Sequence, residues 1–302
     1  MKLRAYLLML AVVGIWGCTF VLIKDALSDA SPLAFNTVRM TLAFLVLAIA
    51  YRRHWREINR HQLIAGVIVG FFLAAGYQFQ TAGLAKTTPS KSAFITGLVV
   101  VLVPLFSTVK ALRPVGARAP RWNAYLGAFL AFAGILLLTV PAGSGVLPDF
   151  NAVNSGDLLT FGCSVAFTLH CIALGHTSPR IAFQPLALLQ IGFCALFMMI
   201  STPILEHPQM RVTPRLILAL AIAAVLATAA AFSIQSWAQS ILPATHTALI
   251  LTLEPVFAWI TSFLFLGERM GLRPASGAII ILAGIAITEL IPQPHVPTSH
   301  EA

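Results

Sequence analysis

The chain has 302 residues, of which 58% are hydrophobic and only 10% charged, and it carries a formal net charge of +9. Soluble domains run at roughly 45–50% apolar and 25% charged, so a water-soluble fold of this length could not hide its apolar surface, whereas a bilayer acting as solvent can take it. The basic residues fall in short clusters between apolar runs rather than along one stripe, which excludes a nucleic-acid-binding chain.

A membrane span needs roughly 20 apolar residues to cross about 30 Å of hydrocarbon. Ten stretches meet this: 5–23, 32–51, 63–84, 92–110, 122–140, 157–175, 185–205, 215–240, 245–266 and 274–291. The first follows Lys2 and Arg4 but is too long for a signal peptide's apolar region, and no small-residue cleavage site comes after it. It carries Trp16 and Phe20, four apart, a candidate aromatic wall. The second carries Asn36 and, one turn on, Arg39, about 10 Å into the span at 1.5 Å per residue. A charge at membrane depth is costly, so Arg39 reads either as a snorkelling or backbone-paired arginine or as part of a binding site. In the third span Tyr77, Gln80 and Thr81 recur at helical spacing, and in the eighth Gln235 and Gln239 do, with Trp237 between them. Amides and hydroxyls beside aromatic rings suit a zwitterionic or amphipathic small molecule, although they also serve as glue between helices. Pro104 in the fourth span and Pro255 in the ninth each free a carbonyl, at Val100 and Leu251, and are expected to act as hinges. Glu254 directly precedes Pro255. His170 and His246 are minor candidates, since a lone histidine is more often structural.

Cys18, Cys163, Cys171 and Cys194 all lie in apolar segments without a C-x-x-C spacing, so they read as packing residues and neither a metal nor a cofactor is expected. Loop charges place both termini in the cytoplasm: Lys2, Arg4, the 52–60 cluster and the 110–121 cluster share one side. The second half disagrees, putting Arg211, Arg215, Arg269 and Arg273 on the other side.

The sequence also repeats. Gly127-Ala128 with Ala133-Gly134-Ile135 matches Gly277-Ala278 with Ala283-Gly284-Ile285 at an offset of 150. Tyr77, Gln80 and Thr81 pair with Phe232, Gln235 and Ser236, and Pro104 pairs with Pro255. The expected organisation is a five-helix repeat over 1–140, a connecting loop over 141–156, a second repeat over 157–291 and a disordered tail over 292–302. Because five is odd, the second repeat enters the membrane inverted, as in transporters that rock about a central site. The fold class is therefore an all-α membrane protein of about ten spans in two inverted repeats.

Trp16-Gly17-x-x-Phe20, Leu253-Glu254-Pro255-Val256-Phe257 and Phe265-Leu266-Gly267-Glu268-Arg269, with Gly277 and Gly284, resemble the signatures of EamA-type proteins of the drug/metabolite transporter superfamily. The first half departs from the pattern, with Val103-Pro104 in place of Glu-Pro. The resemblance implies a ten-helix transporter with cytoplasmic termini in a bacterial inner membrane, and members that export amino acids, drugs or other small metabolites. The expected function is alternating-access export of a small neutral, zwitterionic or amphipathic, amino-acid-like metabolite by a monomer or homodimer among membrane lipids, with protons as a candidate coupling ion. Drug efflux and a lipid-modifying membrane enzyme are the alternatives. The enzyme is disfavoured because the acidic residues are scattered and no metal-binding or catalytic cluster is visible. The expected site places Tyr77 and Gln80 across from Gln235, Trp237 or Gln239, with Trp16 and Phe20 as wall and Arg39 and Glu254 toward opposite mouths.

Overall fold

The computed structural model describes residues 2–113, 119–139, 153–177, 180–239, 250–251 and 253–290. Ten helical segments account for the spans. They are α1 (Lys2–Ala26), α2 (Pro32–Ala50), α3 (Arg60–Lys86), α4 (Pro89–Thr96 and Val99–Phe106), α5 (Trp122–Thr139), α6 (Ser155–Thr177), α7 (Phe183–Leu205), α8 (Pro214–Ala221, Ile222–Ala230 and Ala231–Gln239), α9 (Glu254–Leu266) and α10 (Leu272–Leu290). Seven are long and apolar enough to cross a membrane, and the described parts of α5, α9 and α10 are shorter apolar helices. Local chemistry sets several of their ends. Asn59 and Gln62 form a reciprocal capping box that opens α3. Thr88-Pro89 and Thr213-Pro214 start α4 and α8 with a hydroxyl cap followed by a proline whose missing N–H costs nothing there. Gly267, at φ +65°, closes α9 in the left-handed conformation.

The two prolines occupy different places in their helices. Pro104 lies near the end of its helix, and the break in α4 falls earlier, at Gly97 and Leu98. There Leu98 and Val100 donate back only three residues, to Ile95 and Gly97. Pro255 is in the first turn of α9. The two irregular points meet: a Cβ on Gly97 would lie 3.1 Å from the Pro255 ring.

The repeat is realised as a set of reciprocal contacts. Gly127 packs on Gly284 and Gly134 on Gly277, each close enough that a Cβ would come within 2.5–2.6 Å of the opposing backbone oxygen. The two glycine pairs matched by the offset thus exchange partners across an antiparallel α5–α10 crossing, Gly127 meeting the mate of Gly134 and Gly134 the mate of Gly127, the signature of a two-fold relating inverted halves. The remaining packing obeys the same exchange: α1 on α9 matches α6 on α4, α3 on α7 matches α8 on α2, and α3 on α6 matches α8 on α1. Gly17, Gly70 and Gly83 let α1–α9, α3–α7 and α3–α6 approach at backbone contact. Among the described residues no strand longer than one bridge occurs; Ala30 and Met210 form that bridge between the α1–α2 and α7–α8 loops. The helices alternate in direction, so the start of α1 and the end of α10 lie on one side of the bundle, termed the near end.

Candidate functional site

At the centre of the bundle, α2, α3 and α8 enclose Arg39, which is 2% exposed. Its Nε donates to Thr228 Oγ1 at 2.9 Å, its Nη2 reaches the Tyr77 hydroxyl at 3.5 Å, and its guanidinium lies 4.6 Å over the Tyr77 ring. No carboxylate pairs with it among the described residues. One turn away, Asn36 donates to the Tyr77 carbonyl at 2.8 Å and to Gln78 Oε1 at 3.1 Å, and accepts from Thr81 Oγ1 at 3.0 Å. Arg39, Asn36, Tyr77 and Thr81 therefore form one network, as their helical spacing suggests. Gln80 points elsewhere, toward Thr96 on α4 at 3.4 Å.

An aromatic group adjoins the arginine. The Tyr77 ring meets Phe167 at 5.2 Å and Phe232 at 6.5 Å, and Phe232 also meets Trp16 at 5.7 Å and His170 at 6.4 Å. His170 is bonded to Gln190 Oε1 at 3.1 Å, and Gln190 Nε2 is buried without a partner. Phe20 does not join this wall; it packs with Ile23, Phe35 and Ala258 nearer the far end. Tyr77 thus meets α8 through Phe232 rather than through Gln235 or Trp237. Trp237 packs instead with Ala5, Met9 and Ile250, and Gln235 is half-buried beyond Phe232. The Gln239 side chain and His246 lie outside the described residues.

Glu254 begins α9, where a carboxylate is favoured by the helix dipole. Its backbone carbonyl packs at Gly17 of α1, where a Cβ would come within 2.8 Å of it. Thr228, Phe167, Thr96 and Gln190 are not singled out by sequence pattern. Thr228 carries a signal all the same: it is the lone polar residue within 217–231.

The far end of the bundle is latched by ion pairs between the halves. Asp29 accepts from Thr213 at 2.7 Å and from Arg215 at 2.8 Å, and lies 3.4 Å from Arg211. These partners, Thr213 first and Arg215 next, hold its carboxyl below the usual range. Glu206 receives the Leu33 and Ala34 N–H groups that open α2. Asp157 takes Thr87 and, at 3.4 Å, Lys91, while Glu268 bonds both Ser90 and Ser262. Lys24 caps the end of α3 through the carbonyls of Leu84, Ala85 and Thr87 at 2.8–3.0 Å. It borders two clefts there, of about 460 and 710 Å³. Among the described residues no group of three or more metal-ligating side chains gathers.

The sequence pattern of the EamA-like transporter family matches residues 3–140 and 154–290. The chain belongs to this family. It is 31% identical over 291 residues to an uncharacterized transporter of Archaeoglobus fulgidus, covering 96% of this chain and 87% of that one. It is 22% identical to the uncharacterized transporter YdfC of Bacillus subtilis, covering 92% and 89%. A solved structure described as the crystal structure of a protein superposes with a TM-score of 0.65 over 96% of this chain and 98% of its own, at 18% identity, and so shares the fold. The protein is accordingly a multi-pass membrane transporter.

Proposed function

We propose that the protein carries a small zwitterionic, amino-acid-like metabolite out of a bacterial cell across the inner membrane by alternating access. One observation carries this reading: a fully buried arginine, held among the described residues by neutral Thr228 and Tyr77 alone, at the meeting of two inverted halves. A guanidinium in so dry a place is costly without a counter-charge, and a carboxylate is the group its planar fork fits best. Glu254, in the first turn of α9, offers the opposite charge for an ammonium group or, between cargoes, a coupling proton. Phe232, Trp16 and Tyr77 supply apolar surface for a side chain.

Residues 1–140 and 157–291, joined by 141–156, serve as the two moving parts. The breaks at Gly97 and before Pro255, in contact at the centre, are the discontinuities around which they move. The charges favour a cytoplasmic near end. Its basic clusters stand without acidic partners among the described residues, whereas Arg211 and Arg215 at the far end are matched by Asp25 and Asp29. The substrate class is tested by counterflow in liposomes with the twenty L-amino acids and their carboxamides. Exchange of at least one amino acid, with its amide rejected, is the expected result. Exchange of amides as fast as acids would overturn the reading.

A further inference from the structure

Residues Ile222–Ala230 of α8 are wound as a π-helix between two α-helical stretches. A π-turn bonds each N–H to the carbonyl five residues back and so holds one residue more than an α-turn; such turns are rare and concentrate at functional sites. The local sequence gives no cause. The segment is alanine-rich and lacks glycine and proline, a composition that favours the α-helix.

Two side chains of the first half grip it instead. Trp16 Nε1 donates to the Ala227 carbonyl at 2.8 Å, and Arg39 Nε donates to Thr228 Oγ1 at 2.9 Å. Thr228 Oγ1 in turn donates to the Ala223 carbonyl, five residues back, at 2.8 Å, the same step as the π ladder. One hydroxyl therefore ties the guanidinium to the winding of α8. Five residues on, Ser233 Oγ accepts from the Tyr51 hydroxyl at 2.9 Å, joining α8 to the near end of α2.

Building on the reading of Arg39 as a carboxylate anchor, we infer that Thr228 holds the place on Arg39 Nε that the substrate carboxylate takes, and that its displacement lets α8 rewind and release Ser233 from Tyr51. A carboxylate is a stronger partner for guanidinium than a hydroxyl, so cargo binding favours the exchange. Once Arg39 lets go, the π-segment keeps only the Trp16 grip. Passing its extra residue along the helix turns the remainder of α8 by about 100°, which carries Ser233 off the Tyr51 hydroxyl. Site occupancy and the near end are thereby coupled through one threonine.

The test uses the full chain with its four native cysteines replaced, carrying Tyr51→Cys and Ser233→Cys as a cross-linking pair. Without any amino acid, a short bifunctional thiol reagent should bridge the pair readily with Thr228 present, about tenfold more slowly with Thr228→Val, and at the original rate with Thr228→Ser. An unchanged rate in Thr228→Val overturns the coupling. The second arm measures binding of the twenty L-amino acids to chains with native Tyr51 and Ser233. Thr228→Val should tighten binding of any that bind by about tenfold, the equivalent of one hydrogen bond to a charged group that no longer has to be broken. If Thr228→Val binds no tighter while Arg39→Gln abolishes binding, Arg39 remains the anchor and the Thr228 exchange is wrong. If Arg39→Gln binds as well as the native chain, or if no amino acid binds at all, the anchor reading itself falls. Should Thr228→Val fail to fold, hydrogen exchange at 227–231 in the native chain decides: a change on saturation with a binding amino acid is required, and none overturns the inference.

Discussion

The two ends of the bundle are built on different chemistry although the helices there are related by the repeat. At the far end, carboxylates at Asp29, Asp157 and Glu268 reach across to Arg215, Lys91 and Ser90, and the Ala30–Met210 bridge adds backbone pairing between loops. At the near end the halves meet through neutral groups: the Tyr51–Ser233 bond, the Tyr51–Phe183 ring contact and the Asn123 amide on the Thr288 carbonyl. Among the described residues no ion pair joins them there. Inverted repeats thus supply the same scaffold twice, while the ion pairs among the described residues gather at one end. On the alternating-access reading proposed above, several bonds break together to open the far end, and few to open the near end.

Removing the latch should give the largest effect. Asp29→Asn combined with Asp157→Asn should raise labelling of a cysteine at position 80 by a far-side, membrane-impermeant thiol reagent at least about tenfold, as charge-assisted contacts worth more than neutral ones are lost. Unaltered labelling would mean that these pairs do not hold the end closed. Acid should imitate this only at an extreme. Because Thr213 and Arg215 depress the Asp29 carboxyl, its contribution is fully present above the ordinary carboxylate value near 4 and fades only as pH falls through the still lower folded value. The ratio of labelling in the latched chain to labelling in the double variant, which cancels the ionisation of the thiol itself, should accordingly stay flat between pH 8 and pH 5, and a rise within that window would show that another group titrates.

A smaller effect is expected from Tyr51→Phe, which removes one half-buried neutral hydrogen bond and keeps the ring on Phe183. Near-side labelling of a cysteine at position 235 should increase about fivefold, in line with roughly 1 kcal/mol for one such bond. A change as large as that from the far-end double variant would erase the contrast between the ends.

Much of this is legible in the sequence. Hydropathy places the spans, and the glycines at 127, 134, 277 and 284, matched by an offset of 150, become the reciprocal contacts of α5 and α10. Arg39 and Tyr77 are legible because polar groups are scarce enough at membrane depth to be conspicuous. Charge counting at the second-half loops conflicts with the first half because a count cannot see that Arg211 and Arg215 are matched to Asp25 and Asp29 from the other repeat. The break in α4 at Gly97 and Leu98, where α4 meets Pro255 of α9, has no proline to announce it, while Pro104 lies inside the helix that follows. The π-winding of 222–230 has no local sign at all, since Trp16 and Arg39, some two hundred residues away, are what grip it.

The most direct test of the account concerns what Arg39 reads. Binding of an exchangeable L-amino acid and of its carboxamide should be measured side by side in the native protein and in Arg39→Gln. The native protein should prefer the acid by about a hundredfold, the scale of a buried charge-assisted pair. Arg39→Gln should lose that preference by weakening the acid alone. A variant that still prefers the acid by the same factor would contradict the assignment of Arg39 as the carboxylate anchor.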